Sequence, residues 1–98
     1  MSPTFGVLAL LEAKPGKGDD LARFLEAGRD LAAAEAGTVT WYAFKISDTQ
    51  YGIFDTFDDG PGRQAHLNGQ IPAALGQVAD ELLAGAPDIR TVDVLAVK

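Results

Sequence analysis

Four runs dense in β-branched, aliphatic and aromatic residues are interrupted by stretches of helical period, in the order β-α-β-β-α-β. Phe5 to Ala13 is the first run, closed by the turn signal Lys14-Pro15-Gly16. Asp19 and Asp20 then stand where a helix start favours acidic side chains, and Leu21, Phe24, Leu25, Gly28, Leu31 and Ala32 mark one helix face. Gly37 is expected to close that helix. Val39 to Ile46 and Tyr51 to Phe57 read as two strands of a hairpin joined by the polar loop Ser47-Asp48-Thr49-Gln50. Asp58 to Gly62 reads as a turn, followed by a short helix over Arg63 to Asn68. After Gly69, Ile71, Leu75, Val78 and Leu82 predict a second amphipathic helix running toward Ala86-Pro87-Asp88, and Ile89 to Val97 the fourth strand. Helices joined in this order cover one face of a four-stranded antiparallel sheet, so the expected fold is α+β and ferredoxin-like.

The 98 residues fit a single domain, and 47% of them are hydrophobic, ordinary for a packed core. Fourteen acidic against eight basic side chains give a net charge of −6. With no basic cluster to offset that sign, nucleic acid is excluded as an expected partner. The first apolar run is short and lacks a basic leader, so it reads as a strand rather than a signal peptide or a membrane span. Without cysteine there are no disulfides and no thiolate metal sites, which is compatible with the cytoplasmic location expected here.

A sheet with one wet face alternates apolar and polar residues. Here 23 of the 33 residues in the four runs are apolar, and the pairs Leu10-Leu11, Trp41-Tyr42 and Ile53-Phe54 place large groups on both faces. A lone chain would expose an apolar patch of a size soluble proteins rarely tolerate, so a homodimer is expected.

The run Ala36-Gly37-Thr38-Val39-Thr40-Trp41-Tyr42-Ala43-Phe44, the hairpin to Phe54-Asp55-Thr56-Phe57, and Gln64-Ala65-His66-Leu67 resemble the antibiotic biosynthesis monooxygenase family. The resemblance extends from Phe5 to Lys98 and implies a dimeric α/β barrel in which two ferredoxin-like sheets pack face to face. It also implies oxygenation of phenols, quinols or related electron-rich aromatics with no cofactor, metal or flavin. Haem-degrading relatives need an asparagine in the first strand and a late histidine, and this chain has neither.

His66 is the sole histidine, and the only side chain whose ordinary pKa suits proton transfer near neutrality. It is the catalytic candidate, against the plainer reading of a histidine capping a short helix. Trp41, Tyr42, Phe54 and Phe57 are the substrate-contact candidates, with core packing as their alternative. Alternation puts Trp41 and Tyr42 on opposite faces without saying which face meets the helices. Asn68 is a candidate hydrogen-bond donor to substrate, or a helix cap. Arg63 reads as a solvated arginine or as a partner for an anionic substrate. Asp55, a carboxylate in mid-strand, is expected to pair with Lys45 or Arg90, with assistance to His66 as the other option. One histidine cannot build the usual zinc site, and no calcium loop or P-loop is present. The leading expectation is a cofactor-independent monooxygenase acting on a small aromatic or quinol-like ligand. A non-catalytic ligand-binding dimer and an isomerase or lyase of the same barrel type stand beside it.

Overall fold

The computed structural model describes residues 4–98. Its elements are β1 (Phe5–Glu12), α1 (Gly18–Ala33), β2 (Thr38–Lys45), β3 (Gln50–Phe57), α2 (Gly60–Leu67), α3 (Gln70–Leu82) and β4 (Asp88–Asp93). The strands form one antiparallel sheet in the order β2-β3-β1-β4, the ferredoxin-like arrangement. No helix among the described residues is long and apolar enough to cross a membrane.

Register decides which side chains face the helices. Trp41, Asp55, Val7 and Thr91 lie abreast across the four strands, and the next row on that face is Ala43, Ile53, Ala9 and Ile89. Val7, Ala9, Leu11, Tyr51 and Ile53 are buried there, and Leu21, Leu25, Ile71 and Leu75 are buried from the helical layer. The opposite face carries the rows Tyr42, Phe54, Leu8, Arg90 and Phe44, Gly52, Leu10, Asp88. No helix among the described residues covers that face, and Tyr42 is 60% exposed on it, with Phe44 and Ile46 exposed beside it.

Four boundaries differ from the sequence reading, each for a local reason. α1 ends at Ala33, four residues before Gly37. Gly37 is not in the left-handed region either, since Gly16 alone among the described residues has a positive φ (78°). What Gly37 supplies is closeness: a Cβ there would sit 3.1 Å from the Cα of Gly62. α2 begins at Gly60 rather than Arg63, because Asp59 is its N-cap and accepts a 2.7 Å hydrogen bond from Gly62 N–H. Such a cap contributes about 1 kcal/mol, and Pro61 fits the first turn, where its missing N–H has no partner to lose. α3 stops at Leu82 because the residues after it pair with the end of β1, where Ala84 N–H donates to Glu12 O at 2.8 Å. Leu83 turns extended and bridges to Ala13 instead. β4 ends at Asp93, after which Val94 N–H still donates to Thr4 O at 2.8 Å while Leu95 is 96% exposed.

Candidate active site

β3 is an inner strand of the sheet, so a residue on its helix-facing side lies under the helical layer. Asp55 occupies such a position and is 1% exposed. An ionised carboxylate there is costly unless an opposite charge meets it. His66, in the last turn of α2 and 6% exposed, brings its Nε2 to 2.8 Å from Asp55 Oδ2. The contact has ion-pair distance, and neither carboxylate oxygen of Asp55 has a hydrogen-bond partner among the described residues. The other ring nitrogen, Nδ1, lies 2.7 Å from Oε1 of Glu35. The Phe57 ring, fully buried, packs against the imidazole with centroids 5.3 Å apart.

Glu35 sits in the loop between α1 and β2 and is held there by its own neighbourhood. Its N–H donates to Ala32 O at 3.1 Å, and its Oε1 accepts from Thr38 Oγ1 at 2.8 Å. Bare glycine backbones let the loop close on α2. Gly37 lies against Gly62, and a Cβ on Gly69 would come within 3.0 Å of Glu35 Oε2 and 3.1 Å of His66 O. Larger residues at these positions would wedge the loop away from the imidazole.

Burial pushes the His66 pKa down, but contact with Asp55 and Glu35 pushes it up by more, and the net position is above the ordinary 6.5. Its place at the end of α2 acts in the same sense, because the helix C-terminus favours a positive charge. The arrangement holds the imidazole between two carboxylates, a setting that favours its protonated form. The two carboxylates approach from opposite sides of the ring and do not converge on a common point, and among the described residues no group of three or more acidic or histidine side chains is placed to hold a metal ion.

Glu35 and His66 line a cleft of about 450 Å³ where the end of α1, the body of α2 and the start of α3 meet. Most of its other walls are small or aliphatic, among them Leu31, Ala34, Gly62 and Ala65, with Thr38 and Gln70 as polar members. Of the residues singled out from sequence, His66 alone lines this cleft. Phe57 lies behind the imidazole. Trp41 shares the helix-facing side and lines a neighbouring hollow of about 280 Å³ together with Arg29 and Thr38, its indole N–H buried without a partner among the described residues. Tyr42 and Phe54 lie on the uncovered face of the sheet, and Asn68 is exposed as the C-cap of α2. Arg63 sits over the Phe5 ring at 5.1 Å, near the carbonyls of Gly6 and Val92. The expected pairing of Asp55 with Lys45 or Arg90 is not what forms: Lys45 pairs with Asp48 at 3.2 Å and Arg90 with Asp88 at 2.9 Å, both near neighbours in sequence. Sequence pattern does not single out Glu35, whose one signal is that it is the sole charged residue in the run Leu31-Ala32-Ala33-Ala34-Glu35-Ala36-Gly37.

No model of a known protein family and no curated protein sequence matches the chain. Solved structures do. NE2512 of Nitrosomonas europaea, a protein of unknown function, is 48% identical with a TM-score of 0.95, over 98% of this chain and 93% of its own. A candidate antibiotic biosynthesis monooxygenase from Caulobacter crescentus superposes with a TM-score of 0.77 at 22% identity, over 96% of this chain and 92% of its own. Another from Nitrosomonas europaea gives 0.82 at 10% identity, over 94% and 99%. This chain therefore belongs to the family of the NE2512 protein and has the fold of the antibiotic biosynthesis monooxygenase structures.

Proposed function

We propose that the protein is a cofactor-independent oxygenase of small phenolic or quinol substrates, using the cleft beside His66 and working as a homodimer. The observation that carries this reading is the sole histidine, buried between Asp55 and Glu35 in the wall of a cleft large enough for a small ring compound. Removing a proton from a phenol leaves an electron-rich anion able to reduce dioxygen by itself. With a substrate that carries a CH₂ group beside its ring, one oxygen atom ends as a new carbonyl. The other leaves as water with the two hydrogens lost from carbon, so no outside reductant is consumed. The protein's part is to take and return protons and to keep bulk water from the anion.

The uncovered sheet face supports the dimer. Tyr42, Phe54 and Leu8 form an apolar row across three strands, with Phe44 and Leu10 in the next. A second copy laid on this face would bury both rows, and stable interfaces typically bury about 800 Å² per partner.

A proton-shuttling isomerase or lyase is the second reading, favoured by a cleft lining with no phenylalanine, tyrosine or tryptophan among the described residues. Oxygen-electrode measurements with a panel of quinols and hydroxylated polycyclic compounds separate the two. The oxygenase reading expects oxygen uptake matched one to one by product, and none under argon. Turnover of the same substrates without oxygen would transfer the assignment to the second reading.

A further inference from the structure

Both nitrogens of the His66 ring are already engaged, Nδ1 by Glu35 and Nε2 by Asp55, and the ring is 6% exposed. Each ring nitrogen faces a carboxylate at contact distance, so neither points into the cleft to take a proton from a bound molecule. Glu35 is differently placed: its side chain is 21% exposed and forms part of the cleft wall. Its Oε1 is occupied twice, by Thr38 Oγ1 at 2.8 Å and by His66 Nδ1 at 2.7 Å. Its Oε2 makes no hydrogen bond among the described residues, and the missing side chain of Gly69 keeps that oxygen uncrowded.

We infer that Glu35, through Oε2, is the catalytic residue that meets the acidic O–H of an uncharged phenol or enol in the cleft, with His66 and Asp55 as positioning residues behind it. The inference rests on the reading of this cleft as a phenol site. In the step assigned to Glu35, the substrate O–H bond breaks, its electron pair stays on the substrate oxygen, and the proton goes to Oε2. With both acids ionised and the imidazole protonated, the three side chains carry one surplus negative charge. The transfer removes it, while the imidazolium stays hydrogen-bonded to Oε1 and faces Asp55. That buried positive charge holds the Glu35 carboxylate in one orientation before the transfer and one acid rotamer after it. A carboxylate at the point of contact also sets specificity. It accepts from a neutral phenol and repels the phenolate, whereas an imidazolium at that point would do the reverse.

The test is a binding titration with a nitrophenol that ionises in the neutral range, its two forms told apart by absorbance. The wild-type protein is expected to bind the protonated form, with affinity falling about tenfold or more as the phenol ionises, the size expected for a hydrogen bond to a charged acceptor. Glu35→Gln should erase that preference, and Asp55→Asn should weaken it while shifting the midpoint of the His66 imidazole signal downward. Tighter binding of the phenolate by the wild type, or binding of neither form, overturns the assignment, and that arm needs no variant to fold. Oxygen uptake plays no part in the titration. A phenol preference without oxygen consumption sinks the oxygenase reading alone, and oxygen consumption with a phenolate preference sinks the role given to Glu35 alone.

Discussion

His66→Ala is expected to lower folding stability by about 3–5 kcal/mol, the usual cost of breaking a buried ion pair from one side. The substitution leaves Asp55 beneath the helical layer with nothing opposite it, and it strips one face of the Phe57 ring. Against a typical reserve of about 5–15 kcal/mol, that is a large share of what holds such a domain folded. Adding Asp55→Asn should recover part of the loss, because a neutral amide is far cheaper to bury than an orphaned carboxylate. The wild-type protein should also show a pH dependence that both variants lack. The folded-state pKa of His66 lies above 6.5, so its contribution is fully present below about pH 6.5 and fades as pH climbs through the raised value. Urea unfolding curves collected across this range measure both effects. A cost below about 1 kcal/mol for His66→Ala, independent of Asp55, would mean that the two side chains are not a pair in solution.

Tyr42→Glu should convert a dimer into a monomer. Tyr42 is 60% exposed in the single chain, so the substitution leaves the core of each protomer intact. In a face-to-face pair it would force a carboxylate into an apolar row against Phe54 and Leu8. Central aromatic anchors typically carry about 2 kcal/mol or more of binding energy, equivalent to about a thirtyfold loss of affinity. Sedimentation or light scattering should report twice the 10.3 kDa chain mass for the wild type and the single mass for the variant. A wild-type protein that stays monomeric at micromolar concentration would remove the dimer from the proposal.

The order and type of the elements were readable because the helical stretches keep a clear three- and four-residue period and the hairpin loop is short and polar. The choice of face was not readable, because both faces of the sheet are apolar. Leu8 and Leu10 look as suited to a core as Val7 and Leu11, and only the second pair lies under the helices. A hydropathy reading even points the wrong way at Asp55, whose charge suggests the surface and whose side chain is fully buried. Its partner lies eleven residues later, beyond a turn whose glycines and proline conceal the start of α2. Glu35 was hidden for a different reason. A lone acid after a run of alanines looks like a solvated helix end, and only the approach of α2, made possible by Gly37, Gly62 and Gly69, turns it toward the imidazole.

Because the chain contains a single histidine, the nitrogen spectrum of its imidazole can be followed through a pH titration without assignment. If two carboxylates grip the ring, both Nδ1 and Nε2 carry protons at neutral pH and the midpoint lies above 6.5, moving down in Glu35→Gln and in Asp55→Asn. A neutral ring in one tautomer at pH 7, with a midpoint at or below 6.5 and indifferent to either substitution, would contradict the arrangement on which the proposed chemistry depends.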